Sequence, residues 1–266
     1  MTRRNFLTLI SAMFLGVTVD STLIEPYFTL EVSHVELNVG VKKPLRLIHV
    51  TDLHFGTSLL ANAYEATVEA VKNVKPDFIA VTGDMVSKAE AVQQAVDFLA
   101  KLSSCAKTYV VPGNWEYWSL GDGVDYFLRR LEDTGRIEAL VDRSVEMGGF
   151  SLLGVDDPYL GRSNLKEALR GAKGNVKVLL AHSPQIIEEA SGRVDVVLAG
   201  HTHGGQVCLP FIGPVYVPLP GRFKRYAAGL FKEDGTHLYV CRGIGMSFLP
   251  ARFMCKPEVA VVDLLP

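Results

Sequence analysis

The chain has 266 residues, 48% of them hydrophobic, enough to bury one large α/β domain or two small ones. A formal net charge of −2 excludes the basic stripe of a general nucleic-acid binder, so no specific nucleic-acid partner is expected. Cys105, Cys208, Cys241 and Cys255 form no Cys-x-x-Cys pair, which indicates neither a zinc ribbon nor a disulfide framework and leaves open whether two of them pair.

"TRRNFL" precedes an apolar stretch over residues 6–19, a length nearer a signal-peptide core than the roughly 20 residues of a membrane span. Arg3 and Arg4 ahead of Phe6 and Leu7 resemble a twin-arginine export signal, which is read by a receptor and is not itself an anchor. No small-x-small cleavage site follows, so the segment reads as an export signal or as a retained membrane anchor, with a plain apolar helix as the other reading. Residues 1–25 are set apart on this basis, and residues 26–266 are read as one domain. The domain is expected on the extracytoplasmic side, with attachment to the cytoplasmic face of the membrane as the alternative.

Apolar and polar residues alternate over 28–37, as in a half-buried strand near a sheet edge. After Pro44, "LRLIHVTDLH" is a strand running into a loop. "ANAYEATVEAVKNV" has helical spacing through Tyr64, Val68, Val71 and Val74 before Lys75 and Pro76 close it. "DFIAVTGD", "AEAVQQAVDFLAKL" and "KTYVVPGN" continue as strand, helix and strand, which implies strands flanked by helices. "SVEMGGFSLLGVDDP" reads as a hairpin turning at Gly148 and Gly149. "NVKVLLAHSP" and "VDVVLAGHTH" are buried-looking strands that each end in histidine, and "THLYVCRGIG" and "PEVAVVDLL" are two further strands. Two βαβ-like halves around a sandwiched core account for this order.

The informative regularity is the polar residue at the end of each apolar run. Asp52 and His54 close the first, then come Asp84, Asn114, His182, and finally His201 and His203. Ligand sites in open α/β sheets lie outside the carboxyl ends of the strands. So many oxygen and nitrogen donors at one rim carry a large desolvation cost unless cations satisfy them. In Asp52-x-His54 and His201-x-His203 the two-residue spacing puts both side chains on one face of an extended chain. With 24 Gly and 7 His, Gly-His-x-His is expected by chance only about 0.02 times.

These residues resemble the calcineurin-like metallophosphoesterases, whose pattern is Asp-x-His, Gly-Asp, Gly-Asn-His-Asp/Glu, a lone His and Gly-His-x-His. Here it stands as "DLH" at 52–54, "GD" at 83–84, "GNWE" at 113–116, His182, and "GHTH" at 200–203. "GGQVCLPFIG" and "YVCRGIGMS" are similar to the branch containing exported YkuE-like and YaeI-like bacterial phosphodiesterases. The resemblance implies a four-layer α/β/β/α sandwich of two mixed sheets flanked by helices. It also implies two divalent ions (Mn²⁺, Zn²⁺ or Fe), one on Asp52, His54 and His203, the other on Asn114, His182 and His201, with Asp84 bridging. The expected reaction is phosphoester hydrolysis, of a phosphodiester or a pyrophosphate, by a hydroxide shared between the ions.

One position departs from the family pattern. Trp115 stands where the family has His, so the imidazole that assists the leaving group is absent. Trp115 reads either as packing beside Tyr117 and Trp118 or as a substrate-stacking residue. The apolar, Pro-rich residues 209–223 read as a rigid connection or as a lip that receives an acyl chain or touches the bilayer, with Arg222, Lys224, Arg225 and Arg242 as candidate contacts to phosphate. The expected partner is therefore a phosphoester, with a lipid-linked phosphate at a membrane as one form of it. The other reading of the chain is a metal-binding scaffold with little catalysis.

Overall fold

In the computed structural model, which describes residues 3–57 and 61–266, the elements in chain order are α1 (Arg3–Val19), α2 (Glu25–Phe28), β1 (Glu31–Asn38), β2 (Leu45–Val50), α3 (Ala61–Val74), β3 (Phe78–Thr82), α4 (Val92–Ser103) and β4 (Thr108–Val111). Then come α5 (Asn114–Leu120), α6 (Val124–Glu132), β5 (Ile137–Ala139), β6 (Arg143–Glu146), β7 (Phe150–Gly154), α7 (Leu165–Arg170), β8 (Val176–Leu180), α8 (Ile187–Ala190) and β9 (Val196–Ala199). The chain closes with β10 (Cys208–Leu209), β11 (Gly213–Pro214), β12 (Gly229–Glu233), β13 (Thr236–Val240) and β14 (Glu258–Leu265).

Two six-stranded mixed sheets, ordered β1-β14-β2-β3-β4-β5 and β12-β13-β9-β8-β7-β6, stack face to face. The strand periodicity explains the layering. Along β3, Phe78 and Ala80 face the interior between the sheets, while Ile79 and Val81 face α3, α4 and α6. Along β9, Val196 and Leu198 face that same interior, while Val197 and Ala199 pack with Leu165 of α7 and Ile187 of α8. Three apolar interfaces between four layers make the α/β/β/α sandwich that the resemblance implied. Strands covered on both faces read as continuous apolar runs, as β3 and β9 do.

β1 is an edge strand, as the alternation predicts, and α3 spans the residues whose spacing predicts it. Short β5 and the strand β12 are additions that the apolar pattern does not reveal. The N-terminal helix differs from expectation in length: α1 continues through a π-turn at Asp20–Ile24 into α2, giving one helical segment, Arg3–Phe28. Asp20, Ser21 and Thr22 interrupt the apolar run without breaking the helix, because the hydroxyls of Ser21 and Thr22 donate back to the Thr18 carbonyl at 3.2 and 2.7 Å. The segment is long and apolar enough to cross a membrane, and none of α1 is buried.

Candidate metal centre

All the candidate ligands follow strand ends, on the segments after β2, β3, β8 and β9 and, for Asn114, at the first residue of α5 after β4. The structure brings them together in two buried groups, Asp52 with His54 and His203, and Asp84 with His182 and His201; within each group the ligand atoms lie within 4.8 Å of one another. His54 Nε2 is 2.9 Å from His203 Nε2, and His203 Nε2 is 3.3 Å from Asp52 Oδ1. In the second group, His182 Nε2 is 3.1 Å from His201 Nδ1, 3.1 Å from Asn114 Oδ1 and 3.2 Å from Asp84 Oδ2. The same Asp84 oxygen is 3.6 Å from His54 Nε2, so this carboxylate faces both groups.

Hydrogen bonds on the outer side of the rings set which nitrogen faces inward. The carbonyl oxygens of Thr82 and Pro218 only accept, so His182 Nδ1 and His201 Nε2 must donate to them, at 2.8 and 3.2 Å. In the neutral rings that leaves Nε2 of His182 and Nδ1 of His201 as lone pairs facing each other, with the Asn114 amide oxygen beside His182 Nε2. Donors so arranged repel one another, and a cation satisfies them together, so the donor set fits a metal ion. Imidazole, carboxylate and amide donors in one cluster suit Mn²⁺, Zn²⁺ or Fe better than Ca²⁺ or Mg²⁺, which prefer oxygen-only shells.

The electrostatics agree. Burial holds His201 down to about 4 and His203 down to about 3, so both rings are neutral and free to ligate near pH 7. His182 is the exception: burial acts in the same direction, but the Asp84 carboxylate outweighs it and raises the ring well above the ordinary histidine range, so an ion would bind there by displacing the proton on Nε2. Asp52 and Asp84 are likewise held low by the surrounding imidazoles, against the effect of burial.

The backbone is strained at the ligands. Asp52, His54, Asp84, His201 and His203 all have positive φ, between 51° and 72°, where side chains are rarely found. Glycines allow the close approaches around them: Gly83 is itself at φ +84, and a Cβ there would meet Gly113 N at 2.7 Å.

Several residues of the site escape sequence reasoning. The fully buried Glu116 carboxylate accepts backbone N–H groups from Asp84, Val86 and Gly113 at 2.8–2.9 Å, which fixes the loops carrying Asp84 and Asn114. Burial pushes its carboxyl up to about 8, against the pull of those donors. Arg252 is fully buried, donates to the carbonyls of Arg242, Gly243, Gly245 and Cys255, and lies 3.4 Å from His203 Nδ1. The Tyr159 ring packs tilted against the His201 ring, with centroids 4.3 Å apart, on a loop whose backbone is held by the Asp157 carboxylate. Asp157 comes just after β7, so the strand-end regularity that found the ligands also points to it.

A cleft of ≈ 370 Å³ opens over the ligands, lined by Trp115, Trp118, Tyr159, Tyr216, Phe248 and Leu249 among others. Trp115 does two things there: its ring stands edge-on to His54 with centroids 5.4 Å apart, and its backbone N–H donates to Asp84 Oδ1 at 2.8 Å. Arg222 and Arg242 do not line this cleft; Arg222 pairs with Glu188, and Arg242 is bound to Glu31 and Glu258 at 3.0 Å each. The four cysteines are free thiols.

The family profile described as Calcineurin-like phosphoesterase matches residues 45–205. An uncharacterized metallophosphoesterase of Helicobacter pylori (strain ATCC 700392 / 26695) is 34% identical over 237 residues, which cover 84% of this chain and 60% of that protein. The chain thus spans less than two thirds of that relative's length. Phosphodiesterase YaeI of Escherichia coli (strain K12) is 29% identical over 84% of this chain and 83% of its own. The crystal structure of TT1561 of Thermus thermophilus shares the fold, with a TM-score of 0.51 at 15% identity over 75% of this chain and 90% of that one.

Proposed function

The chain belongs to the calcineurin-like phosphoesterase family, whose members use a dinuclear metal centre, and on that premise we propose that it hydrolyses a phosphodiester or pyrophosphate bond in a lipid or lipid-linked phosphate. The observation that carries the reading is the pair of candidate ligand groups facing Asp84, with one ring nitrogen of His182 and one of His201 turned inward. In this reading Asp52, His54 and His203 would hold one ion, Asn114, His182 and His201 the other, and Asp84, which faces both groups, would serve both. The ions, when bound, would supply Lewis-acid chemistry, acidifying water and neutralising charge on the phosphoryl group.

The chain's own residues do the rest. Thr82 and Pro218 orient two of the imidazoles, and Glu116 holds the two loops in register. Trp115 walls the site beside His54, excluding water and offering a flat apolar surface to the substrate. With no imidazole at position 115 to protonate a departing oxygen, esters with good leaving groups are favoured, since general-acid help is typically worth ~10² to 10⁴ in rate. The apolar cleft supports a lipid-linked substrate over a small hydrophilic one.

Residues 1–25 serve in this reading as a membrane anchor, and residues 26–266 as the hydrolase domain. Arg3 and Arg4 at the start of the apolar helix favour retention of that end in the cytoplasm, which directs the domain to the outer side. The test is hydrolysis by the Mn²⁺-loaded full chain of a chromogenic aryl diester, inorganic pyrophosphate and a phospholipid. Cleavage of the diester and of the phospholipid, lost in Asp84→Asn, is expected. A fully metallated protein that cleaves none of the three would overturn the reading.

A further inference from the structure

The domain's most exposed apolar side chains are not scattered. Phe211 is 109% exposed and Ile212 74%, at the tip of the β10–β11 hairpin, and Val215 and Tyr216 follow them on the same segment. Phe248, 80% exposed, and Leu249 stand on the loop after β13. The two segments are tied together: Cys208 N donates to Phe253 O at 2.8 Å, and the Gln206 side-chain amide donates to the carbonyls of Leu249 and Ala251 at 2.6 and 3.1 Å. They form one apolar rim. Val215, Tyr216, Phe248 and Leu249 also line the cleft that reaches His201 and His203, so the rim is the mouth of the metal site.

The apolar N-terminal helix ends on this same structure. Arg252 N donates to Ser21 O at 2.8 Å, Met254 N donates to the buried Glu25 carboxylate at 2.8 Å, and Cys255 N donates to that carboxylate too. A helix long enough to cross a membrane is thus fastened, at its C-terminal end, to the loop that carries half of the rim. Once the helix is in a bilayer, the rim is held against the surface of that bilayer. Apolar patches of this kind are rarely left to water on a soluble surface.

We propose that the rim formed by residues 208–216 and 248–254 inserts into the acyl layer of a phospholipid bilayer, so that a lipid reaches the metal site from the membrane with its chains still embedded. The proposal rests on the phosphohydrolase reading for what happens to the lipid, but insertion itself is independent of catalysis. The occupant of the rim is the acyl layer, because the transmembrane-length helix is fastened to the loop that carries part of the rim and so brings a bilayer to this face. Lys256, two residues after Met254, is exposed and supplies a cation for a lipid headgroup.

The experiment uses the full chain, metal-loaded and reconstituted into vesicles of phosphatidylcholine and phosphatidylglycerol, with and without bromine on the acyl chains. Phe211→Trp places a reporter at the hairpin tip, and Tyr126→Trp one on the exposed face of α6. Bromolipid is expected to quench the added emission of the first and leave that of the second unchanged. Equal emission of Phe211→Trp with and without bromine overturns the proposal, as does a hairpin kept from lipid by a second copy of the chain, seen as a dimer in the same vesicles. In a second arm, Phe211→Ser/Ile212→Ser is expected to slow hydrolysis of vesicle phospholipid at least about tenfold while leaving a soluble aryl diester unaffected, as loss of two large apolar insertions should. Equal loss on both substrates, or on neither, counts against insertion. A chain that is quenched by bromolipid but cleaves nothing would retain the docking surface and remove the hydrolase reading beneath it.

Discussion

Glu116 bears no metal, yet replacing it with Gln should weaken metal binding. When ionised, which burial delays to about pH 8, its two oxygens accept three backbone N–H groups, those of Asp84 and Gly113 on one oxygen and of Val86 on the other, so the comparison is made above that pH. Gln keeps a single acceptor oxygen, and its NH₂ must face a backbone donor on the other side. Turned its best way, it leaves only the Val86 N–H unsatisfied; turned the other way, it leaves two. One buried donor without a partner costs about 1–3 kcal/mol, and the loss falls on the loops that present Asp84 and Asn114. If the penalty appears in the ligated state, metal affinity falls between about fivefold and a hundredfold, at 1.4 kcal/mol per factor of ten. If it appears in the fold, the melting temperature drops by about 2–4 °C per kcal/mol for a chain of this size. Competition with a chromogenic chelator measures the first, and thermal unfolding of metal-loaded and chelated protein the second. Glu116→Gln with wild-type affinity and wild-type melting in both states would refute the assigned positioning role.

Three further outcomes are expected from the same geometry. Asp84→Asn, which removes the carboxylate facing both groups, should lower bound metal measured by elemental analysis and reduce aryl diester hydrolysis by at least about 10³ in kcat/KM. Trp115→His should raise turnover of substrates with poor leaving groups by up to about 10² and change good leaving groups little, read from a series of substituted phenyl esters. Glu258 is held down to about 2, because Arg242 and the hydroxyls of Ser33 and Tyr239 outweigh the effect of burial. With an unfolded value near 4.5 it contributes about 3 kcal/mol that is fully present above pH 4.5 and lost as the pH falls towards 2. Denaturant titrations of wild type and Glu258→Gln should therefore differ most at neutral pH and converge in acid.

The ligands are legible because of where they occur in the chain. Each comes after an apolar run, and every such run is a strand whose carboxyl end faces the same rim, so order along the sequence becomes proximity in space. Spacing alone pairs Asp52 with His54, as the structure does, but it also pairs His201 with His203, which the structure divides between the two groups; that division, the assignment of Asn114, His182 and Asp84, and the number of layers depend on the family resemblance. Residues outside that regularity are not legible. Glu116 stands in "GNWE", but its role depends on loops from β3 and β4 meeting over it, which no local pattern encodes. Arg252 and Tyr159 arrive on irregular segments without periodicity, and the left-handed backbone at the ligands leaves no mark on residues that are not glycine. Hydropathy underestimates the length of the N-terminal helix because Asp20, Ser21 and Thr22 look like an end, while two of their hydroxyls satisfy themselves on the helix backbone.

The most direct measurement is the metal content of the full-length protein after loading with Mn²⁺ and removal of excess ion, determined by elemental analysis alongside aryl diester hydrolysis. Two ions per chain, one for each ligand group, are expected, with hydrolysis that disappears on chelation and returns on reloading. A chain that saturates with one ion or none, or that hydrolyses the ester equally well in chelator, would contradict a dinuclear centre built on Asp84.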